Sequence, residues 1–357
     1  MAKRFHPLKV KELEKTTDDC TIVSFEVEEE LKELFQYKQG QYLTLKAEID
    51  GESIRRSYSL CSSPLDNEWK VAIKKIDGGR FSTFANDHLK VGDELEVMVP
   101  NGSFYCDVDK SCSKHYVAFA AGSGITPIAS ILKTHLKEEP NSKASLFYVN
   151  RSVQSIILRE EIEALKNKYL GRFELYHFLT KEERDAPLFN GRFTEEKLEQ
   201  ISKSLIDLSQ IDDVFICGPM AMTMMIKDFM IKHGVDSKKV HFELFGVPPK
   251  EKSKEQVETV NNSDLSEVSI INNGTKTSFE MPQGGDNYIL DAALSNNADL
   301  PFACKGGVCC TCRAKLIEGE VDMQVNYALE EEEVEAGYIL TCQAVPKSNN
   351  ILVDFDS

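Results

Sequence analysis

The sequence predicts a multidomain protein: an antiparallel β-barrel, then an α/β domain on a parallel sheet, then a small acidic module. Three observations carry this. The chain has 357 residues, more than one hydrophobic core usually organises. Its pattern switches from short period-two runs to alternating strands and helices near residue 111. A polar stretch bearing two prolines then sets off the last quarter.

Residues 1–110 carry CTIVSFEV, QYLTLKAEI, SYSLCS, WKVAIKKI and ELEVMVP, separated by DG, GG and NG turns. Short strands without long helical periods predict an antiparallel barrel. In residues 111–246, HYVAFAAG, ASLFYVN, FELYHFLT and DVFICGP read as strands. ITPIASILKTHLKEE, QSIILREEIEALKNKY and MAMTMMIKDFMIKHG read as helices, the last ended by glycine. That alternation implies a parallel sheet covered on both faces. Residues 247–264 have the composition of a solvated linker. Residues 265–357 open with a hairpin, SEVSIINN and KTSFEMP, followed by the helix NYILDAALSNN and a cysteine-rich loop.

The net charge is −16, and 15 acidic against 5 basic residues place about −10 of it in 265–357. Such a balance argues against nucleic acid and anionic membranes as partners. No stretch approaches the ~20 apolar residues that span a bilayer. The polar start lacks the apolar core of a secretory signal, so a soluble, cytoplasmic protein is expected. Of the ten cysteines, four crowd between 304 and 312, which suggests a metal site rather than disulfides.

Cys304, Cys309 and Cys312 have the C-x4-C-x2-C spacing of a plant-type [2Fe–2S] ferredoxin, and Cys342 supplies a distant fourth thiolate. Gly306 and Gly307 would let the loop wrap closely and aim N–H groups at sulfur. Cys310 falls between ligand positions and should point away. Zinc also uses four thiolates, but zinc sites usually pair two short knuckles.

A one-electron centre needs a feed, and flavin is the intermediary that accepts a hydride and passes on single electrons. Arg56-Ser57-Tyr58-Ser59 suits it: arginine for a pyrophosphate, tyrosine for stacking, serine for a hydrogen bond near N5. Lys74, ending WKVAIK, joins the cofactor-binding set. Gly79 and Ser82 of GGRFS open a helix, a phosphate-binding context. R-x-Y-S by itself also fits an ordinary strand.

Gly122, Gly124, Thr126 and Pro127 lie in GSGITP, which follows a strand and opens a helix, as a dinucleotide turn requires. Gly218, Pro219 and Met220 end a later strand of the same sheet, so the two turns should face one crevice. Cys217 would wall the nicotinamide, or it is simply a buried core thiol. Arg151 and Ser152 stand where a ribose 2′-phosphate would be read, favouring NADPH; a surface arginine is the alternative.

In this order the segments resemble the ferredoxin–NADP reductase superfamily with a plant-type ferredoxin fused at the C-terminus. RSYS resembles its flavin motif, GSGITP its pyrophosphate loop, CGPMAM the segment beside nicotinamide, and Glu243-Leu244-Phe245 the acidic–aromatic element near the flavin. PFACKGGVCCTCRAKLIEGEV and NYALEEEEVEAGYILTCQAVP are similar to the reductase components of phenylacetyl-CoA epoxidases. The resemblance implies a β-grasp ferredoxin domain, FAD rather than FMN, and electron flow from NADPH to a separate di-iron oxygenase in phenylacetate catabolism. It places Ser59, Cys217 and Phe245 at the reacting centre, with core packing the alternative for Phe245. The acidic run Glu330–Glu333 with Glu335 is either a solvated face or a docking surface for that oxygenase. A reductase for a steroid or ring-hydroxylating oxygenase, using NADH or FMN, is the other enzymatic reading; a redox sensor is a third.

Overall fold

In a computed structural model, residues 5–245, 265–285 and 287–357 are described. The chain divides into two compact units, Arg4–Phe245 and a second consisting mainly of Gly246–Ser357. The proposed linker 247–264 lies outside the described residues. Among the described residues no helix is long and apolar enough to cross a membrane.

The first unit begins with β1 (Phe5–Thr17), β2 (Cys20–Glu26), β3 (Tyr42–Ile49), β4 (Glu52–Ser59), β5 (Trp69–Lys74), α1 (Arg80–Asp87) and β6 (Glu94–Met98). Every pairing is antiparallel, in the order β4-β3-β6-β1-β2-β5. A bridge between Leu60 and Val71 links the two outer strands, bringing the sheet round on itself. Alternate residues such as Val23, Phe25, Leu43, Leu45, Val71 and Ile73 fill the interior, as a period of two requires.

The chain continues with β7 (His115–Ala121), α2 (Ile125–Glu138), β8 (Lys143–Asn150), α3 (Arg159–Lys168), β9 (Phe173–Leu179), α4 (Glu195–Ser204), β10 (Asp213–Cys217), α5 (Met220–Lys232) and β11 (Val240–Glu243). The sheet is wholly parallel, ordered β11-β10-β7-β8-β9. Both faces are covered, so β8 is apolar through its middle: Leu146 and Tyr148 enter one core, Phe147 and Val149 the other. The strand order reverses beside β7, where β8 lies on one side and β10 on the other. This is the switch point at which open α/β sheets bind ligands.

Two helices differ from expectation. The run expected to be one helix from Gln154 starts only at Arg159, after a short helical turn at Val153–Ser155 and an extended Ile156. Leu158 turns the chain there with φ 57°. Helix α4 has no counterpart in the sequence expectation, although Thr194 caps it by accepting from Lys197 N at 3.2 Å.

The barrel and the α/β sheet share one core. Cys20, Ile22, Cys61 and Ala72 from the barrel pack with Ile128, Ile131 and Leu132 of α2. Polar groups stitch the same seam: Ser130 Oγ donates to Ser62 O at 2.6 Å, and Ser63 Oγ meets Thr134 Oγ1 at 2.8 Å. Deeper, the carboxylate of Glu139 accepts from His135 Nδ1 (2.8 Å), Tyr116 Oη (2.8 Å) and Asp109 N (3.1 Å).

The second unit holds β12 (Leu265–Asn272), β13 (Thr275–Pro282), α6 (Ile289–Ser295), β14 (Arg313–Glu318), β15 (Val321–Met323), α7 (Glu331–Glu335), β16 (Tyr338–Leu340), β17 (Ala344–Pro346) and β18 (Asn350–Asp354). Its main sheet runs β13-β12-β18-β14-β16, with β12 and β18 parallel and the other pairs antiparallel. Ile289, Leu290 and Ala293 lay α6 against that sheet. This is the β-grasp arrangement expected.

Candidate functional site

A groove of about 450 Å³ runs along β4 and crosses onto the α/β domain. Strand β4 is an outer strand of its sheet, and Arg56, Ser57, Tyr58 and Ser59 all reach the groove. Tyr58 lies 5.7 Å from Phe81, ring to ring, and Ser57 Oγ meets Thr44 Oγ1 at 2.9 Å. Across from them come Gly78, Gly79 and Ser82, then Ser123 and Thr126 from the α/β domain, and finally Phe245.

Gly79 is required by space. A Cβ there would stand 2.4 Å from Ile76 Cγ1 and 2.5 Å from Ser82 Oγ. The Ser82 hydroxyl accepts from Ile76 N at 3.2 Å and donates to Gly79 O at 3.1 Å, so it shapes the turn as well as lining the groove. Lys74 Nζ sits 4.0 Å from the Cβ position of Gly122 and 3.5 Å from Asp19, bringing a barrel cation to the dinucleotide turn. Arg56 Nη1 donates to Arg55 O at 2.7 Å.

The groove fits a flavin. Ile76 and Phe245, 62% and 47% exposed, leave large apolar surfaces at its edge that a planar ring system would cover. Arg56 and Lys74 bring two cationic side chains to the same groove.

Ser59 is 4% exposed, and its Oγ donates to Glu243 Oε2 at 2.9 Å. Burial pushes the Glu243 carboxyl up to about 7, partly offset by that hydrogen bond. A carboxyl poised near neutrality therefore stands behind the groove-lining Ser59. The sequence marks Glu243 only as part of ELF; the contact joins residues 184 positions apart, and no local signal announces it.

The second turn explains its glycines. Gly122 takes φ 52°, and a Cβ on Gly124 would lie 2.1 Å from Cys217 O, so only glycine lets α2 begin against the end of β10. A Cβ on Gly218 would stand 2.9 Å from Ala121 Cβ, so the ends of β7 and β10 do converge. Thr126 Oγ1 donates to Ser123 O at 3.0 Å and closes the turn. Pro127 sits in the first turn of α2, where its missing N–H costs no helical bond. Pro219 precedes α5 and Met220 begins it.

Cys217 is fully buried with Ala120, Ile125 and Phe215 and does not line the groove. The core-thiol alternative describes its surroundings, and burial drives its pKa well up. Arg151 is exposed just beyond β8, and Ser152 N donates to Ser155 Oγ at 3.0 Å. Neither lines the groove. Glu182 carries no motif signal, yet its Oε2 accepts from Val153 N at 3.0 Å, placing a carboxylate in the Arg151 loop.

In the second unit the thiols of Cys304, Cys309, Cys312 and Cys342 converge. Cys304 lies within hydrogen-bonding reach of Cys309 and Cys342, and Cys312 of Cys342. No three or more His, Cys, Asp or Glu among the described residues enclose a single ion. These contacts link all four thiols, the proximity that a cluster held by four thiolates requires. Gly306 N donates to Cys304 Sγ at 3.3 Å, and Cys309 Sγ is 3.2 Å from Thr311 Oγ1. Gly307 takes φ 73° where a Cβ would meet Val325 O at 2.7 Å. Cys310 turns away, its Sγ donating to Ala328 O at 2.9 Å.

Family comparisons agree with this architecture. An oxidoreductase FAD-binding domain matches residues 7–105, an oxidoreductase NAD-binding domain 119–228, and a 2Fe-2S iron-sulfur cluster binding domain 270–347. The chain is 42% identical to a component of the 1,2-phenylacetyl-CoA epoxidase of Escherichia coli, over 99% of this chain and 98% of that one. It belongs to that family of oxygenase reductase components. The 3-ketosteroid-9-alpha-monooxygenase ferredoxin reductase component of Rhodococcus rhodochrous is 33% identical, over 96% of this chain and 94% of its own. Phthalate dioxygenase reductase, a modular structure for electron transfer from pyridine nucleotides to [2Fe-2S], superposes with a TM-score of 0.58 at 25% identity, covering 98% of each chain. The reductase is thus an electron-transfer oxidoreductase with FAD-binding, NAD-binding and [2Fe–2S] domains.

Proposed function

We propose that the reductase takes electrons from NADPH and delivers them, through FAD and the [2Fe–2S] cluster, to the di-iron oxygenase of a phenylacetyl-CoA epoxidase in phenylacetate catabolism. The observation that carries the internal route is the shared groove: Ser123 and Thr126 of the dinucleotide turn line the same cavity as Arg56–Ser59. The identity of the oxygenase rests on the near full-length likeness to the Escherichia coli epoxidase component.

When bound, the flavin supplies the conversion from a two-electron donor to a one-electron acceptor. The chain's residues hold and orient. Arg56, Lys74 and the Gly79 turn bind phosphate, with Ser57 alongside, while Tyr58 and Phe245 flank the ring. Ser59 and Glu243 keep a proton within reach of the ring nitrogen. Gly122, Gly124, Thr126 and Pro127, with Gly218, Pro219 and Met220 opposite, cradle the dinucleotide so that donor and acceptor atoms can approach to ~3–3.5 Å. Cys217 acts through the shape of that wall. Cys304, Cys309, Cys312 and Cys342 ligate the cluster.

Glu330, Glu331, Glu332 and Glu335 lie on and beside α7 and form a docking face for a basic partner. Glu333 also pairs with Arg313 at 2.9 Å within its own module, and Glu330 caps α7. Replacing Glu331 and Glu332 with lysine should slow reduction of the oxygenase several-fold and leave ferricyanide reduction unchanged; equal slowing of both defeats the docking assignment.

For the nucleotide, Arg151 supports NADPH. Glu182 supports a second reading, NADH, because a carboxylate in that loop favours a ribose hydroxyl over a phosphate. Anaerobic titration with each nucleotide, following bleaching of flavin and cluster, decides between them. Bleaching at lower NADPH than NADH is expected; bleaching by neither refutes the reductase reading.

A further inference from the structure

Four of the nine methionines, Met220, Met222, Met224 and Met225, crowd into the first turns of α5. All four are partly exposed, whereas Met98, Met230 and Met281 are buried. Met323 is also partly exposed, but its Sδ accepts from Leu340 N at 3.3 Å. Packing alone does not call for this crowding. Ile226, Phe229 and Met230 already seat α5 in the core, and Met222 and Met225 pack against it. Met220 and Met224 are not part of that core among the described residues. A thioether that solvent reaches is open to oxidation, which turns a flexible apolar side chain into a polar one.

Met222 stands where that change would be felt. Its Cε lies 2.6 Å from the point a Cβ on Gly218 would occupy, and Ala121 Cβ lies 2.9 Å from the same point. The tip of the thioether therefore rests on the Gly218 backbone, where the ends of β7 and β10 meet. Thr223 ties the same turn, its N donating to Pro219 O at 3.0 Å and its Oγ1 to Gly218 O at 3.5 Å. An oxygen added to the Met222 sulfur has to press on Gly218 or draw the side chain off it, and close packing passes either shift to the turn.

We propose that this methionine cluster is an oxidation site for hydrogen peroxide, and that sulfoxide at Met222 loosens the β10–α5 turn and weakens binding of the nicotinamide dinucleotide. The Met222 sulfur attacks one peroxide oxygen, so that an S–O bond forms as the O–O bond breaks. Sulfur gives up two electrons, the proton on the transferred oxygen passes to the departing hydroxide, and water leaves. The assignment rests on the turns after β7 and β10 being the dinucleotide site.

The test treats the full-length protein, carrying flavin and cluster, with graded hydrogen peroxide and then catalase. Sulfoxides are mapped by peptide mass spectrometry, and ferricyanide reduction is measured with NADPH and with NADH. Met222→Leu, close in volume but without sulfur, is treated alongside. Sulfoxide should appear at Met220, Met222, Met224 and Met225 before Met98, Met230 and Met281. The nucleotide KM should rise several-fold with kcat little changed, stay level in Met222→Leu, and recover on treatment with methionine sulfoxide reductases. An equal rise in Met222→Leu, Met222 sulfoxide with unchanged KM, or oxidation spread evenly over all the methionines would each overturn the proposal. Should Met222→Leu fail to fold, recovery with the sulfoxide reductases, but not with their thiol reductant alone, decides. If the untreated protein uses neither nucleotide, it is the crevice assignment itself that falls.

Discussion

The two units hold their redox groups in opposite ways. In Gly246–Ser357 the donors are four thiols, three of them within nine positions of one loop and the fourth following β16. In Arg4–Phe245 nothing is offered but shape, backbone and a few polar groups, gathered from Arg56 to Phe245 across two sheets. Covalent ligation needs a short, specific motif, whereas a non-covalent groove needs a correctly assembled seam. A single substitution should therefore destroy the first kind of site outright and degrade the second by degrees.

The sharpest way to break the comparison is Cys309→Ser. It is expected to abolish reduction of the oxygenase and remove the cluster's visible absorption, while flavin content and ferricyanide reduction persist. Loss of flavin in the same variant would mean that the two sites are not independent.

A smaller effect should come from Glu139, which ties the seam of the first unit. Burial alone would raise its pKa, but hydrogen bonds from His135, Tyr116 and the Asp109 amide outweigh it and hold the group at about 2 against an ordinary 4.5. Because the folded value lies below the unfolded one, the stabilisation is complete above pH 4.5 and is lost as pH falls toward 2. Its size is at most on the order of 3 kcal/mol, less where solvent screens the charge. Glu139→Gln should thus lower the melting midpoint of the first unit at pH 7, with the deficit shrinking under acid. A deficit independent of pH would show that packing, not charge, is at stake.

Smallest of the three is Gly124→Ala. The new Cβ would press on Cys217 O and push α2 from the end of β10, overpacking that costs about 2 kcal/mol of stability and should weaken nucleotide binding by displacing the turn. Nucleotide titration should show that loss with flavin content intact. Wild-type affinity would mean that the turn yields more easily than its contacts indicate.

These contrasts also mark what local sequence can announce. The convergence of the four thiols is legible because their spacing is local and chemically demanding, and the direction of Cys310 follows from the same spacing. The barrel and the parallel sheet are legible from period-two runs and strand–helix alternation. The late start of α3 is not, because nothing local to Ile156, Ile157 and Leu158 announces that Leu158 adopts a positive φ. Ser59 and Phe245 emerge from motif resemblance, yet the contact that gives Ser59 a proton partner spans the barrel and the end of β11.

Sequence by itself determined the modules, their order and the chemistry each can hold, since periodicity, turn residues and ligand spacing are written within a few residues of one another. Tertiary structure decided which of those residues meet. Ser59 faces Glu243, Gly124 abuts Cys217, and Cys217 is sealed in a core, because packing of barrel against sheet sets distances that no local pattern encodes.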